Sequence, residues 1–284
     1  MCKYLYHYTT LGVLQKIFND PEGKTVELKL KDYHFLNDEH EGKWLVRFLN
    51  ECKKNIVAEF EENEKFACEK AIEDFVEGEC YRMLLREQND KHYSFSMSEL
   101  RDSTLFWRQD YAKDNGVALR TEKTVFENKS KWSVEPILYL GVDTVKKYLP
   151  DFVGAVKQDA QYIKCQADLR NESPEDSISG MLEGAKTLTK TDFLKLKNII
   201  WEAEKEWRII VTHKSDGKED LLKKDGVEID EDFVPRYQLK IENPFDEIIL
   251  GPSFSKYYVE SVSKWLKQNK YEKIRVSQSL GCKC

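Results

Sequence analysis

The sequence predicts an α+β domain carrying a helical insertion, and three observations predict it. Short β-favouring segments cluster at both ends of the 284-residue chain. Between them, residues 41–86 repeat apolar side chains at helical spacing. No internal repeat or low-complexity linker divides the chain, so a single domain over 1–284 is the economical expectation.

In chain order, Tyr4 to Thr10 is aromatic-rich and reads as a short strand. Thr9 or Thr10 then offers an N-cap for a helix through Leu11, Val13, Leu14 and Ile17-Phe18. Thr25 to Leu30 alternates as an exposed strand, and Asn37-Asp38-Glu39 reads as a turn. Trp44, Phe48, Cys52, Ile56 and Phe60 recur every four residues, and Ala71, Ile72, Phe75 and Val76 continue the stripe, which predicts two amphipathic helices. His92 to Met97 alternates like a strand, and Asp102 or Ser103 can cap a helix carrying Leu105, Phe106, Trp107 and Tyr111. Further strands are expected at Val117–Leu119, Ile137–Leu140, Tyr237–Ile241, Glu247–Leu250 and Ile274–Val276. Residues 143–198 read as helical around a polar loop at Asn171–Pro174, and a last helix carries Val259, Val262 and Trp265-Leu266.

Composition narrows the function. With 40% hydrophobic and 34% charged residues, the chain has the balance of a globular protein with a solvated surface. A net charge of -6 gives no broad basic footprint for nucleic acid. No apolar run reaches the ~20 residues of a membrane helix, and the N-terminus lacks a signal-peptide core, so a cytoplasmic location is expected. Seven scattered cysteines form neither a disulfide framework nor paired zinc spacing, and no metal site is expected. Phosphate-loop, HExxH and GxSxG motifs are absent.

The densest polar signal is Trp201-Glu202-Ala203-Glu204-Lys205-Glu206-Trp207-Arg208-Ile209-Ile210-Val211. Strand alternation would set Glu204, Glu206 and Arg208 on one side, with Trp207, Ile209 and Val211 on the other. Such charges at the start of an apolar strand need partners or a ligand. His7, just before a helix N-terminus, is placed to hold an anion or a ribose hydroxyl. Ser94 and Ser96 share a strand face with His92, while Trp107 and Tyr111 are spaced to stack on a planar ring.

Taken in order, Leu5-Tyr6-His7-Tyr8-Thr9, Leu36-Asn37-Asp38, Phe95-Ser96-Met97-Ser98-Glu99 with Asp102, Trp107 and Tyr111-Ala112, and Trp201 through Arg208 resemble the bacterial domain-of-unknown-function family 2971. Ile248-Ile249-Leu250-Gly251 fits it too, so the resemblance runs from about residue 4 to 251. More distantly, the chain resembles ADP-ribosyltransferases of the histidine–tyrosine–glutamate kind, which carry a His on an early strand, an aromatic midway and a Glu on a late strand. That resemblance implies a central, mostly antiparallel sheet and NAD as substrate. It implies His7, with Tyr8 and Thr9, on a ribose; Tyr93 or Tyr111 on nicotinamide; and Glu206 or Glu204 on the oxocarbenium-like state. Ser94, Ser96, Trp107 and Arg208 complete the expected NAD site. The acceptor it implies is a protein or nucleic acid, and the protein it implies is a bacterial toxin or phage-defence effector with an antitoxin as a further partner. Two other readings use the same residues: a non-enzymatic binding module with a structural Glu204–Glu206–Arg208 network, and a metal nuclease built on Asp38, Glu204 and Glu206.

Overall fold

In the computed structural model the described residues are 3–36, 90–108, 116–127, 131–140, 195–214, 226–230 and 232–280, with scattered residues between 50 and 73. The chain divides into two compact units. One comprises Met1–Leu36, Asp90–Ile137 and Glu202–Cys284; the other comprises Asn37–Asn89 and Leu138–Trp201.

The first unit is built on a ten-stranded sheet. Its strands are β1 (Tyr4–Thr10), β2 (Thr25–Asp32), β3 (Asp90–Ser98), β4 (Gly116–Glu122), β5 (Ser133–Pro136), β8 (Glu206–Lys214), β9 (Val227–Ile229), β10 (Pro235–Glu242), β11 (Phe245–Leu250) and β12 (Arg275–Gln278). Their order is β12-β11-β4-β1-β3-β2-β10-β9, with β8 pairing β3 and β5. Every pair is antiparallel except β11–β12. The mixed α+β class and the mostly antiparallel sheet agree with the sequence reading. β5 and β9, each short, were not anticipated.

Strand periodicity decides the two faces of this sheet. Leu5, Val26, Leu28, Leu30, Tyr93, Phe95, Val117, Leu119, Ile209, Leu239 and Ile248 fall in one continuous buried cluster, which defines the core face. The alternate residues point the other way, onto the far face. There Tyr6, Tyr8, Ala118 and Ile249 form a smaller cluster with Phe106 and Trp107 of α2 (Thr104–Arg108). β2 is therefore a half-buried strand rather than an exposed one.

Two further α-helices lie among the described residues of this unit. α1 (Leu11–Ile17) is capped by Thr10, whose side chain accepts from the Val13 amide at 3.4 Å, and it buries Leu14 and Ile17. α3 (Tyr257–Gln268) buries Val262 and Leu266. The loop after α1 is tied by Asp20, which accepts from the Thr25 hydroxyl and from the amides of Thr25, Glu22 and Lys24. These bonds, the Thr25 hydroxyl first, hold the Asp20 carboxyl far below the usual carboxylate range.

Gly23 in that loop has φ +66°, and an added Cβ would sit 2.3 Å from the Lys270 carbonyl oxygen. Backbone cannot yield as a flexible side-chain tip would, and the backbone angle also disfavours an L side chain. Gly23→Ala should cost about 1–3 kcal/mol. A melting curve matching wild type would contradict this.

In the second unit, β6 (Leu138–Leu140) pairs in parallel with β7 (Leu196–Asn198). Leu196–Asn198 is thus a strand where helix was expected, because it is recruited by a partner distant in sequence. The scattered residues described between 50 and 73 are mostly helical, and Lys53 pairs with Glu69 at 3.2 Å and Glu73 at 2.6 Å. The rest of the expected insertion at 41–86, and the helices and loop expected over 143–194, lie outside the described residues.

Candidate functional site

β3 is the junction of the sheet. One edge is taken along its whole length by β8, from Asp90↔Lys214 to Ser98↔Glu206. The other edge is shared: Ser98 meets Tyr6 of β1, while Ser94 and Tyr93 meet Lys31 and Asp32 of β2. Between those two contacts no residue of β1 or β2 stands in register with Ser96, whose carbonyl takes a side-chain partner. His7 supplies one, its Nδ1 lying 2.8 Å from that oxygen. A carbonyl only accepts, so Nδ1 carries the proton. The imidazole also stacks on Phe95, centroids 4.0 Å apart.

This geometry separates the two residues the sequence reading had joined. Opposed residues in a ladder share a face, so Glu206, Ser98 and Tyr6 project together onto the far face. His7 follows Tyr6 and projects to the core face, with Phe95. His7 and Glu206 therefore do not share one face. Pairing register, which is non-local, decides this.

Burial pushes the His7 imidazole down to about 4, against the opposing effect of the Ser96 carbonyl. The unfolded chain, with an ordinary value near 6.5, binds the proton more readily. The stability held by neutral His7 is complete above about pH 6.5 and is lost as pH falls through 6.5 towards 4. After solvent screening the loss is on the order of 2 kcal/mol. His7→Phe should flatten the stability–pH slope within that window; an unchanged slope would contradict it.

Glu206 opens β8 and Arg208 stands two residues on, on the same face. Arg208 Nε donates to Glu206 Oε1 at 2.7 Å and Nη2 to Oε2 at 3.2 Å, with relative exposures of 2% and 5%. Ser96 lies opposite Arg208 on β3, and Glu135 of β5 lies opposite it on the other side. Ser94, one place further along this face, is buried and its hydroxyl has no hydrogen-bond partner. Glu204 does not continue the alternation. It closes a 3-10 helix, Ile199–Glu204, and Lys205 at φ +46° separates it from the strand. The Glu204 side chain is buried, and its carbonyl accepts from the Ser98 hydroxyl at 2.6 Å.

The expected ring-stacking residues fare differently. Tyr93 is 2% exposed on the core face, near Tyr237, so it lies across the sheet from Glu206. Trp107 is 1% exposed and donates from Nε1 to Asp102 at 2.6 Å, which makes it a core residue. Tyr8 stacks on Phe106 at 4.4 Å and donates to the Leu100 carbonyl at 2.7 Å. Thr9 is buried on the His7 face. Tyr111 and Asp38 lie outside the described residues.

What sequence reasoning missed is the row across the far face. Glu206, Ser98, Tyr6, Arg120, Glu247 and Arg275 stand in register on six adjacent strands. Arg120 inside Val117-Ala118-Leu119-Arg120 and Glu247 before Ile248-Ile249-Leu250 were the available signals, each a charge within an apolar strand.

Among the described residues no three His, Cys, Asp or Glu side chains come together as a metal would require. Nor is any helix among them long and apolar enough to cross a membrane. No family model matches the chain, and no curated protein and no solved structure matches it. The resemblances drawn from the motifs therefore rest on its own residues.

Proposed function

We propose that the chain is an NAD-using ADP-ribosyltransferase that modifies a macromolecule, with its chemistry on the far face around Glu206. The sheet would then be of the ADP-ribosyltransferase-like type and the chain a member of the family-2971 group. One observation carries the reading: β1, β3 and β8 are neighbours, so the late-strand carboxylate, a run of serine hydroxyls and an aromatic ring meet on one face. The aromatic in register with Glu206 on that face is Tyr6, whereas Tyr93 lies on the core face.

The chemistry asks for these groups. The bond from ribose C1′ to nicotinamide breaks, and nicotinamide leaves with the electron pair. The acceptor's lone pair then bonds to C1′, and the acceptor's proton passes to solvent. Positive charge develops on the ribose, and a fixed carboxylate stabilises it. Arg208 aims the Glu206 carboxylate through a two-bond fork. The unpartnered Ser94 hydroxyl is the kind of buried group that a ribose hydroxyl would complete. A toxin or phage-defence role, with an antitoxin partner, belongs to the same proposal.

The Arg208–Glu206 fork also favours a second reading, a binding module in which the pair only braces β8. Nicotinamide release separates the two. Folded protein given NAD and a lysate of candidate acceptors should release nicotinamide, and none released would leave the module ahead.

A further inference from the structure

At the opposite end of the far-face row, Glu247 is fully buried and three guanidiniums converge on it. Arg275 Nη2 reaches Oε1 at 2.7 Å and Arg101 Nη2 reaches the same oxygen at 3.2 Å. The Ser277 hydroxyl adds a third bond to Oε1 at 2.8 Å. Oε2 faces Arg120 Nη1 at 2.8 Å, an ion pair without hydrogen-bond alignment. Burial alone would raise the Glu247 carboxyl, yet Ser277, Arg275, Arg120 and Arg101 together hold it below the usual carboxylate range.

The charges do not balance. Arg120 is already claimed by a two-bond fork to Asp246, both bonds 2.8 Å, and its cation lies over the Tyr4 ring at 4.6 Å. Two carboxylates thus face three guanidiniums. Arg101 and Arg275 each spend one N–H on Glu247, and their side chains are 57% and 60% exposed. A guanidinium carries five N–H donors. Both Nη2 atoms touch one oxygen, so two like charges are held side by side with most of their donors facing water. One arginine and Ser277 would satisfy a structural carboxylate. The surplus fits a second anion.

We propose that Arg101 and Arg275 form a clamp, anchored from beneath by Glu247, for the phosphate group of a small phosphorylated ligand. Tetrahedral phosphate oxygens suit two neighbouring guanidinium forks, and the bonds are charge-assisted. The site is independent of the transferase reading. Five strand spacings of about 4.8 Å separate the backbones of Glu206 and Arg275, roughly 24 Å. That exceeds the reach from a ribose at Glu206 to the phosphates of the same dinucleotide.

The test is calorimetric titration of the full chain with inorganic phosphate, and separately with ADP, against sodium chloride at equal ionic strength. Wild type should bind phosphate, and Arg101→Ala and Arg275→Ala should each weaken it at least about tenfold. Arg275→Lys, which keeps the charge and loses the fork, should fall between. Similar affinity for ADP and phosphate would identify the phosphate alone as the recognised group, and tighter ADP binding a nucleotide. The exposed variants should melt within a few degrees of wild type without ligand. No phosphate binding beyond the chloride control, or undiminished binding by both alanine variants, would overturn the clamp. So would a large loss of unliganded stability in those variants, which would make the arginines structural.

Discussion

Arg208→Met should destabilise the protein by about 3–5 kcal/mol, because it leaves the Glu206 carboxylate buried without its cation. At about 2–4 °C per kcal/mol for a chain of this size, melting should fall on the order of 10 °C. The pair holds two hydrogen bonds, and both side chains are almost wholly removed from water. The companion experiment is the double variant Arg208→Met with Glu206→Leu. Replacing both members of a buried pair by apolar groups is often near neutral, so the double variant should recover most of the loss. Failure to recover would mean that the pair does more for folding than satisfy its own charges.

Glu206→Gln carries the second large effect, this time on rate. The amide keeps the shape and can still accept one bond from Arg208, but it loses the negative charge that faces the developing ribosyl cation. Loss of one such preorganised contact costs about a hundredfold to a thousandfold in rate, roughly 3–4 kcal/mol. NAD binding should weaken far less, since the lost contact strengthens only as charge develops. Steady-state nicotinamide release, with kcat and KM resolved, checks both halves. Equal losses in affinity and rate would assign Glu206 to ground-state binding.

Much of the fold is legible along the chain wherever one period governs. β2 alternates as Val26, Leu28 and Leu30, and those three side chains are buried. The run from Trp207 to Val211 declares its own two faces, and the structure keeps them. What resists reading is everything set by pairing. Whether His7 shares a face with Glu206 depends on Tyr6 meeting Ser98, and a one-residue slip would reverse the answer. Glu204 was misplaced because Lys205 takes a left-handed conformation that no composition rule announces. Leu196–Asn198 became a strand through a partner more than fifty residues away. Tyr93 and Trp107 offered ring-stacking chemistry by type, and packing absorbed both into the interior.

That the chemistry belongs to the far face alone is decided by comparing Glu206→Gln with His7→Asn. The asparagine amide can still donate to the Ser96 carbonyl, as the imidazole does at 2.8 Å, so the β1–β3 junction is retained. Nicotinamide release by both variants, measured beside wild type at neutral pH, should fall about a hundredfold or more for Glu206→Gln and stay within a few fold for His7→Asn. Turnover lost equally in both folded variants would return His7 to the reacting centre and contradict the assignment of the site to one face.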